Sequence, residues 1–186
     1  NCTIYLPFAL NQETAAELGE LYKMLMANDG KVWMSPVDKT EANTPYMFKP
    51  NVAKVSVEMV DVKKTIPTPT TRNGVTFLGT YQSIDILSDS DFDYYCFVGE
   101  GLYAGKFVKV VDNAVTVNPF RAYMMKPASS TSLSQVLDID WGDGTTAIKN
   151  FKVGTEDNVY YDLQGRRVLY PKKGIYIVNG HKVVIK

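Results

Sequence analysis

Regularly spaced carboxylates form the chain's clearest candidate for metal chemistry. Asp89, Asp91 and Asp93 match the first, third and fifth positions of a calcium-binding loop, and Glu100 matches the twelfth. A hard cation prefers oxygen ligands at this spacing. However, Tyr94 takes the sixth position, where that loop needs glycine for its sharp turn, and the flanking residues are typical of strands. We predict a solvated turn whose charges discourage edge pairing, with a calcium site as the weaker alternative.

Aromatic side chains suggest a second kind of site. Trp33, Trp141, Tyr94, Tyr95 and Tyr103 could stack on sugar rings and form a platform for a glycan. Most aromatic side chains of a β-sandwich belong to its core, so a core role is the competing interpretation. The two differ in a visible way, because a glycan platform needs exposed, coplanar rings on one face of a sheet.

Catalytic chemistry has little support in the residues. His181 is the one histidine, and neither a serine nor a cysteine lies in a recognisable catalytic motif. Cys2 and Cys96 either form one disulfide, which a secreted context would permit, or stay separate buried thiols. We therefore predict no catalytic residue and no cofactor.

Charge and length limit the class of protein. The chain has 20 basic and 20 acidic residues, so its formal net charge is zero, whereas a nucleic-acid-binding protein should carry a basic stripe. No apolar run reaches the roughly 18 residues that a membrane span needs. The chain opens on NCTIYLPFAL, which is typical of a strand already under way. We expect a mature or trimmed piece, whose lack of a signal peptide is uninformative about its compartment.

Period-two alternation, rich in Tyr, Phe, Val and Thr, dominates the chain and predicts strands. Asn11 is placed to cap a helix over Gln12–Leu18, which Gly19 would end. Asp29-Gly30 predicts a tight hairpin, and alternating valines predict a long strand over Asn51–Val62. The predicted class is all-β: an antiparallel β-sandwich with one short helix and a small C-terminal β-meander.

One motif occurs twice. TPYMFKPN (Thr44–Asn51) and RAYMMKPA (Arg121–Ala128) share the pattern Tyr-Met-x-Lys-Pro. Because proline cannot donate to a strand ladder, each strand should end there, at a sheet edge. The motif indicates either two related halves or a similar way of ending a strand, and we favour the second.

A small, polar stretch, Ala128–Ser134, is the best candidate for a linker. We therefore divide the chain into a β-sandwich domain, residues 1–127, and a linker plus C-terminal hairpin module, residues 128–186. Asn179-Gly180 predicts a hairpin in that module. Isolated hairpins are marginally stable in water, so the module should need a partner surface.

Several segments resemble a known group of proteins. LPFAL, EANTPYMFKP, NPFRAYMMKP, GDGTT and VYYDLQGRRVLYPKKGIYIVNGHKVVIK occur in that order. Together they resemble the C-terminal region of Bacteroidales-type secreted and surface proteins, some of which carry leucine-rich repeats and are described as cell-adhesion proteins. The last segment is similar to the C-terminal sorting modules of type IX secretion substrates, although it is shorter. The resemblance implies secretion or surface exposure and no catalytic residues.

The predicted function is a non-enzymatic secreted or cell-surface β-domain with a role in adhesion or protein interaction. The alternative is a carbohydrate-binding module of a larger surface protein that captures or degrades glycans, and a third hypothesis is a structural spacer without a ligand. The expected partner is a protein or a glycan at the cell surface, with no nucleic acid and no membrane span.

Overall fold

The computed structural model describes residues 1–57, 62, 67–130 and 132–142, together with the backbone of four short strands between residues 160 and 185. Strands dominate these residues, so the predicted all-β class is confirmed. The chain divides into two compact units, Asn1–Gly144 and Thr145–Lys186. No helix in the described part is long and apolar enough to cross a membrane.

The described residues of the first unit form one helix, α1 (Gln12–Leu18), and twelve strands. The strands are β1 (Cys2–Tyr5), β2 (Gly19–Asn28), β3 (Lys31–Val37), β4 (Pro45–Pro50), β5 (Thr70–Arg72), β6 (Val75–Thr80), β7 (Ile84–Ile86), β8 (Phe92–Val98), β9 (Lys106–Lys109), β10 (Val115–Val117), β11 (Arg121–Pro127) and β12 (Val136–Asp140). Ten of them form one sheet in the order β1-β4-β2-β3-β12-β9-β8-β11-β6-β5, and β7 pairs with β10 separately.

The large sheet is mixed and curled. Its neighbouring strands are antiparallel except for β12, which runs parallel to β3. The sheet curls so that β1, at one end of the strand order, packs against β11 and β6 near the other end. The Tyr5 backbone N–H donates to the Phe120 carbonyl at 2.9 Å, and the Arg121 guanidinium donates to the Thr3 carbonyl at 2.8 Å. These bonds hold the two faces of the curl together, as in a sandwich.

Two sets of four strands within this sheet share one connectivity. The first half is β1, β2, β3 and β4, which lie in the order first, fourth, second, third. The second half is β6, β8, β9 and β11, which repeat that order. The fourth strands, β4 and β11, carry the Tyr-Met-x-Lys-Pro motif, and β12 joins the third strands, β3 and β9. This shared order favours two related halves, the interpretation that we had not favoured from the sequence.

The main core lies between the two halves. Met47 and Met124, the methionines of the repeated motif, are both 0% exposed in it. Phe77 and Phe107 meet edge to face across the core, with ring centroids 6.0 Å apart. Burying such side chains contributes about 25 cal/mol per Å² of apolar surface, so this core is the main source of stability. A second cluster packs α1 against β2 and β4, and a third packs beside β7 and β10.

Tyr5 lies where the two halves meet, directly on the backbone of Gly79 in β6. A Cβ at Gly79 would lie 2.0 Å from Cγ of Tyr5, so this close approach requires glycine. Tyr81 stacks on Tyr5 with ring centroids 4.5 Å apart, and its hydroxyl donates to the side chain of Asn43.

The strand predicted over Asn51–Val62 is wrong in its described part. Residues 51–57 form no strand, and residues 58–61 lie outside the described residues. Pro50 ends β4, and the chain then leaves the sheet with Val52 and Val55 each 38% exposed. Alternating valines therefore did not suffice to hold this segment in a ladder.

Both strands of the repeated motif end at their proline, as predicted, but neither lies at a sheet edge. β4 pairs with β1 and β2, and β11 pairs with β6 and β8. Pro50 and Pro127 take the last position of each strand, so the missing N–H removes only a terminal hydrogen bond.

The first unit continues beyond Pro127, where we had placed its end. β12, which our division assigned to the linker and module, is paired within the large sheet, and the compact unit runs to Gly144. The second unit contains the strands β13 (Tyr160–Tyr161), β14 (Arg167–Val168), β15 (Gly174–Val178) and β16 (His181–Ile185), in the order β14-β13-β15-β16. Val178 pairs with His181 across the predicted turn, and Asn179-Gly180 itself lies outside the described residues.

Candidate functional site

The five aromatic residues predicted as a glycan platform lie in different places. Tyr95 is fully buried in the main core, and Tyr94, the next residue, packs on the other side of β8. Trp33 is partly buried on β3, whereas Tyr103 is exposed in the loop between β8 and β9. Trp141 follows β12 and packs partly buried against the main core. The structure does not bring these rings onto one surface.

The three aspartates of the predicted cation loop separate into two environments. The Asp89 carboxylate accepts a hydrogen bond from the Asp91 backbone N–H at 2.6 Å in an exposed turn. Asp93, on β8, instead pairs with the ammonium groups of Lys109 and Lys126, at 2.7 Å and 2.9 Å. Nowhere in the described residues do three or more His, Cys, Asp or Glu side chains group to hold a metal ion.

Cys2 and Cys96 are both free thiols. Cys2 is partly buried on β1, in the cluster beneath α1, whereas Cys96 is buried in the cluster beside β7 and β10. Burial raises the pKa of the Cys96 thiol to about 11. Cys96 therefore keeps its proton at neutral pH and is a packing residue rather than a nucleophile.

In the first half, one acid, one tyrosine and one lysine meet at the end of the core. Glu20 and Tyr22 on β2 lie directly opposite Lys49 and Met47 on β4. Alternate residues of a strand share a face, so Glu20 and Lys49 lie on the same side of the sheet as the buried Tyr22 and Met47. They lie two residues further along their strands, at the end of the core. We call Glu20, Tyr22 and Lys49 the first rim cluster.

The second half repeats this arrangement at the same positions. Asp93 and Tyr95 on β8 lie opposite Lys126 and Met124 on β11. We call Asp93, Tyr95 and Lys126 the second rim cluster. The repeat in sequence is thus also a repeat in register, with an acid facing a lysine and a tyrosine facing a methionine in each half.

The second rim cluster is closed to solvent. The Lys126 side chain is 2% exposed and that of Asp93 15%. Burial alone would raise the pKa of Asp93, but hydrogen bonds and charge from Lys109 and Lys126 hold it below its usual value. The Tyr95 hydroxyl is buried without a hydrogen-bond partner in the described part of the chain, and burial raises its pKa to about 12. This cluster therefore has a structural role.

The first rim cluster is open to solvent. The Lys49 ammonium lies 3.4 Å from Oε2 of Glu20 and donates to the Tyr22 hydroxyl at 3.1 Å. It also lies 4.7 Å from the ring centroid of Tyr22 and 4.2 Å from that of Trp141, which are cation–π distances. The Tyr22 hydroxyl donates to Oε2 of Glu20 at 2.5 Å. Although the Glu20 side chain is 60% exposed, these contacts fix its carboxylate in place.

A cleft of about 560 Å³ opens beside the first rim cluster. Its lining residues come from α1, from β2, from the end of β3 and from the residue after Trp141: Gln12, Ala15, Ala16, Gly19, Glu20, Leu21, Tyr22, Pro36, Val37, Asp38 and Gly142. Most of them are apolar, and the two charged ones, Glu20 and Asp38, are both acidic. The cleft therefore combines apolar walls with a negative charge.

Local sequence places Glu20 at this cleft. The Asn11 side chain accepts a hydrogen bond from the Thr14 N–H at 2.8 Å, which confirms the predicted cap of α1. Gly19 ends α1 with φ of 151°, and a Cβ there would lie 2.2 Å from the Lys49 carbonyl oxygen. Only glycine allows the chain to pass from α1 directly into β2 beside β4. Glu20 is then the next residue, opposite Lys49.

The electrostatics of the cleft suit binding rather than proton transfer. Hydrogen bonds from Tyr22 and Lys49 lower the pKa of Glu20, so its carboxylate stays ionised at neutral pH. Burial and the nearby Glu20 raise the pKa of Tyr22, so its hydroxyl stays protonated. A general acid or base works best with a pKa near the operating pH, and both groups are shifted away from it.

Sequence reasoning singled out Trp141 but missed Glu20, Tyr22 and Lys49. The available signal was the repeated Tyr-Met-x-Lys-Pro motif, which contains Lys49. Comparison of the chain with family models, curated proteins and solved structures gives no match. The resemblance to Bacteroidales surface proteins therefore stays a prediction.

Proposed function

We propose that this protein is a non-enzymatic domain that binds another protein at the cell surface or outside the cell, in an adhesion-type role. The observation that carries the proposal is the open first rim cluster beside its cleft. Binding sites combine mostly apolar walls with a few oriented polar groups, and this cleft has that composition. Its polar groups are already paired and fixed, so a partner meets a preorganised surface.

An exposed loop adds support for a protein partner. Leu102 and Tyr103, between β8 and β9, are 87% and 44% exposed. The loop is nevertheless ordered, because the Gly105 N–H donates to the Val98 carbonyl at 2.8 Å and the Lys106 N–H donates to the Tyr103 carbonyl at 3.1 Å. The exposed side chains of Leu102 and Tyr103 are available for burial against a partner.

Glycan binding, the alternative from the sequence, has less support. The candidate aromatic rings lie on different faces, and the Lys49 ammonium lies over the ring of Trp141. A sugar would have to displace that ammonium to stack on the same ring face. The location outside the cell is supported by the resemblance of the C-terminal residues to type IX sorting modules.

Binding of the fluorescently labelled protein to intact cells tests the proposal. We expect protease treatment of the cells to abolish binding and glycosidase treatment to leave it unchanged. Glu20→Gln, in the first rim cluster, should weaken binding, whereas Glu17→Gln, an exposed charge on α1 outside the cleft lining, should not. Binding that survives protease but not glycosidase would transfer support to the glycan alternative, and turnover on a broad panel of hydrolase substrates would refute a non-enzymatic role.

A further inference from the structure

A further lysine, Lys109, contacts the acid of the second rim cluster, and the first rim cluster has no equivalent contact among the described residues. Asp93 uses Oδ2 for Lys126 and Oδ1 for Lys109. Lys109 reaches this carboxylate from β9, where it lies opposite Tyr95. Each oxygen of the buried acid thus has its own ammonium group.

Pro36 takes the place of Lys109 in the first half. It lies opposite Tyr22 in the β2–β3 hairpin, as Lys109 lies opposite Tyr95 in the β8–β9 hairpin. Proline has no charged group, so β3 offers Glu20 no second cation. Tyr22 and Lys49 both contact Oε2 of Glu20, and no contact among the described residues uses Oε1. Both Glu20 and Pro36 line the cleft.

The chemistry of the cleft matches the missing group. Glu20 and Lys49 neutralise each other as an ion pair, so Asp38 leaves the charged groups at the cleft with a net negative charge that attracts a cation. Apolar walls from Ala16 and Val37 suit the methylene chain of a lysine, which buries readily along apolar surface while its ammonium stays at a polar site. An anionic ligand would meet two carboxylates instead.

We propose that the cleft binds a lysine side chain of the partner protein, whose ammonium contacts Glu20 as the Lys109 ammonium contacts Asp93. This inference rests on the proposed function and specifies the group that the partner presents. The protein's second half supplies the template, because there the acid at the corresponding register position, Asp93, binds two lysines.

An NMR titration of the full chain tests this inference with two capped peptides. One is acetyl-Ala-Ala-Lys-Ala-Ala-amide, and its matched control carries norleucine, which keeps the four-carbon chain of lysine but has no ammonium group. We expect the lysine peptide to shift the amide signals of residues 19–22 and 37–38. The control should bind roughly two- to fivefold more weakly, the loss expected for an ion pair with a solvent-exposed carboxylate. Equal shifts with both peptides, or no local shift with the lysine peptide, would overturn the inference.

Three variants sharpen the test. Pro36→Lys restores the Lys109 position, so its own ammonium should occupy the site and abolish peptide binding. Glu20→Gln should weaken binding roughly two- to fivefold, whereas Glu17→Gln, an exposed charge on α1 that does not line the cleft, should leave it unchanged. If a variant fails to fold by its NMR spectrum, Asp38→Asn provides the same comparison. Undiminished binding to a folded Pro36→Lys protein contradicts the inference.

The two proposals can fail separately. Charge-selective peptide binding without any binding to cells supports the lysine site and refutes the cell-surface function. Protease-sensitive binding to cells without charge-selective peptide binding supports the function and refutes the lysine site.

Discussion

Replacing the equivalent lysines of the two halves by methionine should have unequal effects on stability. Methionine keeps most of the length and apolar volume of lysine, so the substitution mainly removes the charge. Lys126→Met acts in the closed second rim cluster, where the lysine side chain is 2% exposed. Lys49→Met acts at the same register position of the open first rim cluster, where the lysine side chain is 30% exposed.

The structure sets the expected size of each effect. Removing one partner of a fully buried ion pair costs about 3–5 kcal/mol, because the other charge stays buried and unpaired. Asp93 keeps Lys109 at 2.7 Å and is 15% exposed, so we expect Lys126→Met to lower the free energy of unfolding by roughly 2 kcal/mol. Exposed ion pairs contribute little, so Lys49→Met should lose clearly less.

The effect of Lys126→Met should also depend on pH. The pKa of Asp93 is lowered from 3.8 on folding, so its ionised form adds stability above that value. This contribution is lost as the pH falls through the lower pKa of the folded state. The difference between parent and variant should therefore be full at pH 7 and shrink below about pH 4.

Urea unfolding followed by tryptophan fluorescence measures both effects. Trp33 and Trp141 are the two tryptophans of the chain, and both lie in the first unit, so the signal reports that unit. Equal losses for Lys126→Met and Lys49→Met would refute the distinction between a closed and an open cluster. A loss at Lys126 that is the same at pH 7 and pH 3 would refute the ion pair as its cause.

Two further predictions concern packing and thiol reactivity. Gly79→Ala should lower the free energy of unfolding by about 2–3 kcal/mol, because its Cβ would overlap the Tyr5 ring. In the Tyr5→Ala background the same change should cost at least about 1 kcal/mol less, and simple additivity of the two losses would contradict the contact. With iodoacetamide at pH 8, mass spectrometry should find Cys2 modified well before Cys96, whose thiol is buried with a raised pKa. Similar modification rates would argue against the buried position of Cys96.

Local signals in the sequence predicted local structure well. Asn11 and Gly19 bound α1 as expected, because a cap and a glycine act within one turn of the helix. Asp29 and Gly30 form the predicted hairpin turn, with φ of 42° and 86°. The antiparallel hairpin of β2 and β3 follows from that turn.

Long-range pairing was not predictable in the same way. The parallel pairing of β12 with β3 joins segments far apart in the chain. Neither strand contains a local sequence signal that identifies the other as its partner. The first rim cluster depends on such a pairing, since Glu20 meets Lys49 only through the register of β2 and β4. The repeated Tyr-Met-x-Lys-Pro motif contains one residue of this cluster, Lys49. The acid opposite this lysine is Glu20 in the first half and Asp93 in the second, and no repeated motif contains it.

The position of β12 has a consequence for how the first unit folds. β12 is the last strand of this unit along the chain, yet it lies between β3 and β9 and bonds to both. Hairpins within each half can form as soon as their own residues are available, but the two third strands stay unjoined until residues 136–140 arrive. Folds that depend on pairings so distant in sequence form slowly. A chain emerging from its N-terminus would therefore complete its large sheet only when nearly the whole unit has emerged.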